Sequence, residues 1–212
     1  QAAVLTGDLI GSTEAAPSTV EAAMKLIADI ALRIDPKTRF TRYRGDGWQI
    51  YLDEAGHGLW ISVFIAAALR AAGGLESKIA IGLGDVVAGS FLEALSGSLS
   101  SATGSSFIAS GRALDAMQKE RRLALAGDRT DILHHRLVAM IDERVAGWSR
   151  EQSQAVALAL APEGPPKQAE MASKLGVTRQ AVASRLQAAG FGQIDLAAAD
   201  FLRHFGKEIS PV

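Results

Sequence analysis

The chain has 212 residues, of which 48% are hydrophobic and 21% are charged, and its formal net charge at pH 7 is −1. This composition supplies core material for one large or two small globular domains, while the near-neutral charge excludes a uniformly basic nucleic-acid coat but not a local basic surface. The absence of cysteine excludes disulfides and thiolate metal sites.

The hydrophobic period predicts an α+β domain over residues 1–147, followed by an all-helical domain over residues 148–212. In the first domain we predict strands at residues 2–10, 38–44, 48–52, 78–87 and 121–126, and helices at 19–34, 59–72, 107–119 and 133–145. Residues 90–106 are rich in glycine and serine, and we assign them no element. In the second domain we predict helices at 151–160 and 167–175, a third that begins after Thr178, and a fourth at 194–205.

Two aspartates close apolar, strand-like runs and stand beside glycine. Asp8 ends the first run, and Asp46 lies between Gly45 and Gly47, which permit the backbone torsions of a tight hairpin. Mg²⁺ is normally held by one or two carboxylates, while substrate phosphates and water fill its other positions. The pair therefore suggests a metal and nucleotide site, although either aspartate alone could be only a turn or capping residue.

The order of the motifs over about residues 2–127 resembles the class III nucleotide cyclase homology domain. The resemblance rests on GDLIGST at Asp8, on the Gly45-Asp46-Gly47 turn, on IAIGLGDVVAG in a later strand and on GSSFIASGRALDAM at a helix start. It implies a ferredoxin-like sheet packed with helices, and a homodimer with sites at the shared interface. Nearly the whole chain also resembles SatD-like proteins, which combine an early Gly-Asp strand end, a Gly-Asp hairpin and a C-terminal helix-turn-helix.

This resemblance also implies roles for individual residues. Asp8 and Asp46 would hold Mg²⁺ or Mn²⁺, and Arg112 would stabilise charge on the transferring phosphoryl group. Contact with a purine nucleotide would involve six residues, namely Asp8, Gly11, Ser12, Thr13, Arg42 and Asp46, of which Arg42 stands where the family has a base-reading lysine, with Ser101 as its polar partner.

One position departs from the cyclase pattern. Ile108 stands where the family has a transition-state asparagine, and its side chain donates no hydrogen bond. Loss of such a donor typically costs about 10² to 10³ in rate. The resemblance therefore implies slow turnover unless another residue substitutes, and we expect the domain to sense a ligand rather than to catalyse.

Residues 168–186, which read QAEMASKLGVTRQAVASRL, are typical of a helix-turn-helix. Gly176 would allow the tight turn, Thr178 would cap the recognition helix, and Val182 would pack inward. The predicted DNA contacts are Lys167, Thr178, Arg179, Gln180, Ser184 and Arg185. From residue 174 to 185 there are three basic side chains and no acidic one, which favours a basic recognition face.

The sequence favours a DNA-binding transcriptional regulator whose cyclase-like domain senses a nucleotide or pairs two copies into a homodimer. The amphipathic tail at 194–205 could close the helical domain or contribute to pairing. One alternative is an active, metal-dependent nucleotidyl cyclase with a DNA-binding tail, and another is a non-enzymatic protein-interaction module. The longest uncharged apolar run near the middle, residues 59–69, is too short to span a bilayer. The N-terminus has no basic leader and its apolar run is broken by Asp8, so we expect a cytoplasmic protein without a membrane partner.

Overall fold

The computed structural model describes residues 1–35, 37–43, 45–87, 99 and 102–206. The strands are β1 Ala2–Leu9, β2 Arg39–Tyr43, β3 Gly47–Leu52, β4 Ser77–Gly84 and β5 Leu123–Gly127. Within this described part of the chain the α-helices are α1 Pro17–Ile34, α2 Gly58–Ala72, α3 Ser105–Asp115, α4 Ile132–Ala146, α5 Arg150–Ala159, α6 Gln168–Leu175, α7 Arg179–Ala189 and α8 Phe191–Phe205.

The five strands form one mixed sheet in the order β2-β3-β1-β4-β5. The central strand β1 is antiparallel to both β3 and β4, β2 is antiparallel to β3, and β5 joins the outer edge of β4 in parallel. The predicted α+β class is confirmed, and each predicted strand is present within a few residues of its expected bounds.

Strand β1 is apolar over most of its length because helices cover both faces of the sheet. Ala3 and Leu5 pack into the main core with α1 and α2, whereas Val4 belongs to a smaller cluster on the opposite face with Tyr51. On that opposite face Thr6 Oγ1 lies 2.7 Å from Ser110 Oγ of α3, and both residues are buried. Side chains alternate between the faces of a strand, so Asp8 shares the α3 side with Val4 and Thr6.

Helix α2 is the central core helix, and most of its side chains are buried. The 18-residue segment Ala55–Ala72 is long and apolar enough to span a membrane, but 67% of it is buried inside the fold. This segment also includes the short 3-10 helix Ala55–His57, which the sequence did not indicate. A buried helix between a sheet and other helices is apolar all round for the same reason as a membrane helix.

The helices that follow residue 147 share the core of the sheet. Ala189, Ile194, Phe201 and Phe205 belong to the same buried cluster as the residues of β1, α1 and α2. The buried Trp148 Nε1 also donates a hydrogen bond of 2.9 Å to the Ala189 carbonyl. The apolar core is therefore continuous across the predicted 147/148 boundary, and the helical part is fused to the sheet rather than tethered to it.

One predicted helix start and one predicted apolar position differ from what the structure shows. Helix α3 begins at Ser105 rather than at residue 107, because Ser105 Oγ accepts from Asp85 N at 2.9 Å and Ser106 Oγ donates to Asp85 O at 3.2 Å. These bonds fix the first turn of α3 against the end of β4. The amphipathic pattern of the tail at 194–205 predicts Leu196 on its apolar face, but Leu196 is 58% exposed. Most of the unassigned stretch 90–106 lies outside the described residues.

A partly buried ion network joins the sheet to the C-terminal helices. The Glu76 carboxylate accepts from Arg70 Nε at 2.9 Å and from Arg122 Nε at 2.9 Å. Arg70 Nη1 also donates to the carbonyls of Val145, Ala146 and Trp148 at 2.7 to 3.0 Å. Burial would raise the pKa of Glu76, but the hydrogen bonds from Arg122 and Arg70 outweigh it and hold this pKa below its ordinary value.

We predict that Arg70→Met destabilises the protein by roughly 2–4 kcal/mol, because three carbonyls lose their donor and Glu76 loses an ion-pair partner. The loss should be measured by urea denaturation at pH 7. Since the folded pKa of Glu76 lies below its ordinary value of 4.5, these ion pairs stabilise the fold above that value and weaken as the pH falls below it. Arg70→Met should therefore cost less at acid pH.

The matched control is Lys25→Met, which removes an exposed ion pair between Lys25 and Asp29 on α1. Exposed pairs of this spacing contribute about 0.3–0.5 kcal/mol. A loss for Arg70→Met no larger than that of the control would contradict a structural role for the network.

Candidate functional site

The end of β1 and the β2–β3 hairpin bring Asp8 and Asp46 together. Asp8 lies opposite Gly47 of β3 and opposite Lys78 of β4. The hairpin turns at Gly45, whose φ of +85° favours glycine, and Leu9 N donates to the Asp46 carbonyl at 3.2 Å. The two aspartates predicted as metal ligands therefore meet at one end of the sheet.

Packing requires glycine at position 7, immediately before Asp8. An added Cβ at Gly7 would lie 2.2 Å from the ring of Trp48, which is fully buried beneath the strand. Trp48 Nε1 donates to Ser77 Oγ at 3.0 Å, and Ser77 Oγ in turn donates to the Asp8 carbonyl at 2.9 Å. The backbone of Asp8 is thus held in place by the core, while its carboxylate reaches solvent.

The pKa of the Asp8 carboxyl is raised above its ordinary value. Partial burial is the largest cause, followed by repulsion from the Asp46 carboxylate and a hydrogen bond with it, while the charge of Lys78 acts in the opposite direction. Lys78 Nζ is engaged elsewhere, since it donates to the carbonyls of Met117 and Gln118. The fold therefore leaves two close carboxylates without a full ion pair, an arrangement that a divalent cation would stabilise.

The loop after β1 completes one side of this site. Ser12 Oγ donates a short hydrogen bond to Asp46 Oδ2, and Gly11 has a φ of +73°. A surface cavity of about 540 Å³ adjoins them, and its lining includes Ser12, Thr13, Glu21, Arg42, Gly45 and Asp46. The predicted nucleotide contacts therefore lie around one cavity or next to it.

Arg42 is partly engaged within the chain. Its Nε donates to the Gly45 carbonyl at 2.5 Å, and its Nη1 donates to Glu21 Oε1 at 2.5 Å. Glu21 on α1 was not anticipated as a site residue, because its position on an amphipathic helix gives no sign that it meets the hairpin. Ser101, the predicted partner of Arg42, lies outside the described residues.

Arg112 does not join the two aspartates within one chain. It lies on the solvent side of α3, one turn after Ile108, which is 54% exposed. Its guanidinium makes no hydrogen bond or ion pair with any residue that the structure describes. The predicted metal ligands are thus brought together, whereas the predicted phosphoryl-stabilising arginine is exposed and makes no described hydrogen bond or ion pair with them.

The two helices predicted to form the helix-turn-helix are α6 and α7, and α5 packs behind them. Gly176 has a φ of +65° at the end of α6, and Thr178 Oγ1 accepts from Ala181 N at 3.1 Å to cap α7. The small core of this unit has four buried residues, Ala159, Met171, Ala172 and Val182. The turn and the cap are where the sequence placed them.

The predicted DNA-contacting residues differ in exposure. Lys167, Thr178, Arg179, Gln180 and Ser184 are exposed, whereas Arg185 is half-buried and its charge lies near Glu151. Arg185 follows Val182 by one turn and borders the packed side of α7, so it is less exposed than the other predicted contacts. The side chains of Arg179 and Gln180 bond to nothing within the described part of the chain.

The loop before α6 is tied to the sheet domain. Arg33, at the end of α1, donates two hydrogen bonds to the Glu163 carboxylate, from Nε at 2.8 Å and from Nη2 at 2.6 Å. This two-pronged hydrogen bond lowers the pKa of Glu163. The bond holds the loop that carries Lys167. No local sequence pattern could predict this bond, because its partners are 130 residues apart.

The chain matches no family model, and no curated protein or solved structure is similar to it.

We predict that Asp8→Asn raises the melting temperature of the metal-free protein near neutral pH. The folded pKa of Asp8 is raised, so its ionisation disfavours the folded state, and the benefit of asparagine should grow as the pH rises through that pKa. It should vanish below the ordinary value of 3.8, where Asp8 is protonated in both states. Thermal unfolding followed by circular dichroism across the pH range would measure this.

The same melts should be repeated with millimolar Mg²⁺ or Mn²⁺. Wild type should gain stability and Asp8→Asn should gain little, because the cation offsets the repulsion between the carboxylates. Equal stabilisation of the two proteins would contradict a cation site at Asp8.

Proposed function

We propose that this chain is a DNA-binding transcriptional regulator. The observation that carries the proposal is the pair of exposed, unengaged side chains, Arg179 and Gln180, at the start of a capped helix in a well-packed helix-turn-helix. The N-terminal part of such a recognition helix reads base edges in the major groove. Arginine suits guanine and glutamine suits adenine, while Lys167 and Arg185 would contact phosphates.

The sheet domain is proposed to be a degenerate cyclase-like sensor. Its first four strands run β2-β3-β1-β4, and α1 and α2 pack against the same side of β1, which supports a ferredoxin-like sheet with β5 added at its edge. The C-terminal helices 148–212 would then be a DNA-binding attachment to a class III cyclase-like or SatD-like domain in the cytoplasm, without a membrane partner.

The proposed ligand is a purine nucleotide with Mg²⁺ or Mn²⁺. The residues fit a divalent cation, since two close carboxylates stand without a full counter-charge and Ser12 orients one of them. Such a cation would bind phosphate oxygens and offset their charge. Gly11, Ser12 and Thr13 would line the phosphate side of the cavity, and Arg42 would meet the nucleoside.

A homodimer is proposed to set the spacing of the recognition helices. The helical part is fused to the sheet by a shared core, so two copies paired through their sheet domains would present two recognition helices at a fixed distance, as a palindromic site requires. The exposed face of α3, with Ile108 and Arg112, is the surface from which Arg112 would reach the partner's carboxylate site.

We predict that Arg179→Ala weakens capture of specific fragments from the protein's own genomic DNA about 10- to 100-fold, because one base-reading side chain contributes ~1–3 kcal/mol. Binding should be measured by electrophoretic mobility shift over a series of salt concentrations. Affinity should fall steeply with salt, as phosphate contacts require. Lys25→Ala, at an exposed position of α1 outside the predicted DNA contacts, is the control and should bind as wild type does.

DNA capture that neither salt nor Arg179→Ala alters would contradict this proposal and favour the protein-interaction alternative. The capture should also be repeated with and without nucleoside triphosphate and Mg²⁺. A change in affinity for DNA on nucleotide addition would separate a sensor from a domain that serves only in pairing.

A second candidate function is a slow, metal-dependent nucleotidyl cyclase. The meeting of Asp8 with Asp46 favours it, while Ile108 weakens it because no side-chain donor stands at that position. If the chain is a cyclase, purified protein with Mn²⁺ and a purine nucleoside triphosphate should form cyclic product, Asp46→Ala should abolish it, and Ile108→Asn should raise the rate, by up to about 10². The absence of product from both wild type and Ile108→Asn would eliminate this candidate.

A further inference from the structure

The edge strand β5 lies at the floor of a groove that the proposed DNA and nucleotide sites do not use. Helix α3 covers one face of the sheet and α4 the other, and both reach β5, so they stand on either side of its open edge. The groove between them has a volume of about 560 Å³. The three elements line the groove with alanines, among them Ala113, Ala124 and Ala139, whose small side chains leave space between the helices.

Part of the backbone of β5, beside this groove, has no hydrogen-bond partner within the described part of the chain. Arg122 O and Asp128 N bond to β4, so the even-numbered residues face that strand and the odd-numbered ones face outward. Leu123 N donates a hydrogen bond to Asp142 Oδ1, and Leu123 O accepts one from Arg121 Nη2. This alternation leaves the N–H and C=O of Leu125, the next odd-numbered residue, on the open edge, which is the arrangement that adds a further strand.

The charge of the groove indicates what would bind there. Arg136 and His135 of α4 line it, both are exposed, and neither side chain has a hydrogen-bond or ion-pair partner within the described part of the chain. A third lining cation, Arg121, is already paired with Asp142. None of the described residues that line the groove is acidic. An incoming segment would therefore meet an open strand edge beside an unpaired guanidinium.

A second copy of the chain is a poorer occupant than an acidic partner. A symmetric pair of β5 strands would place the Arg136 side chains of both copies in the same groove, because a two-fold contact repeats each residue against its own surface. No acidic lining residue among those described would offset them. An acidic strand would pair with the backbone of Leu125 through its own backbone and with Arg136 through its carboxylates.

We propose that the β5 groove binds a short, extended, acidic segment of a partner protein, which adds to the sheet as a strand beside Leu125. The backbone of the segment pairs with Leu125, its small apolar side chains lie between α3 and α4, and its carboxylates meet Arg136. The surface is separate from the recognition helix and from the carboxylate site, so such a partner could bind while the chain holds DNA.

The proposal is tested with full-length protein and two labelled octapeptides, one in which valine alternates with glutamate and one in which valine alternates with lysine. Fluorescence anisotropy should show that the glutamate peptide binds at least about tenfold more tightly than the lysine peptide. The variant Arg136→Glu should reverse this preference. Lys25→Glu, a charge reversal on the remote helix α1, should leave it unchanged, and unaltered melting curves would show that both variants fold.

A glutamate peptide in which all central residues, valines and glutamates alike, are N-methylated separates strand addition from simple charge attraction. It keeps every charge but cannot donate to Leu125, so its binding should also fall about tenfold. Equal binding of the glutamate and lysine peptides, or of the methylated and unmethylated ones, would overturn the proposal. A dimer that strengthens in Arg136→Glu, without peptide binding, would overturn it in favour of β5 pairing between two copies.

Discussion

The partly buried carboxylate of Glu76 is the group on which the connection between the two parts of this protein depends. The carboxylate binds Arg70 of α2 and Arg122, which precedes β5. The backbone carbonyl of Glu76 also accepts a hydrogen bond from Ile10 N at the end of β1. Arg70 in turn holds the carbonyls at the junction between α4 and α5. A partly buried charge is stable only when its partners satisfy it fully, so these elements must keep their positions together.

The carboxylate site shows the opposite arrangement. Close by the satisfied Glu76, the chain places Asp8 against Asp46 and engages Lys78 with the backbone of the segment after α3. Natural sequences depart from electrostatic consistency mainly at functional sites. This repulsion, in a position that the core fixes through Gly7 and Trp48, is what the cation of the proposed site would offset.

Local patterns in the sequence predicted what depends on local physics. The apolar run of β1, the glycines around Asp46, Gly176 and the Thr178 cap each specify their own conformation, and each was found where expected. What the sequence could not predict depends on pairs far apart in the chain. Arg33 with Glu163, Arg70 with Glu76 and the buried Asp142 of α4 are ordinary polar residues on helices until the fold brings their partners to them.

The predicted division into two domains does not divide the core. The hydrophobic period changes near residue 147, but the apolar core is continuous across that position. Ala189, Ile194 and Phe201 complete the apolar surface that α2 offers, and Arg33 and Trp148 add polar ties at two further points. Separating the helical part would expose this apolar face and break the Arg70 network, at a cost larger than ligand binding commonly supplies. In the proposed regulator a response to nucleotide must therefore act between two copies of the chain rather than through a hinge within one.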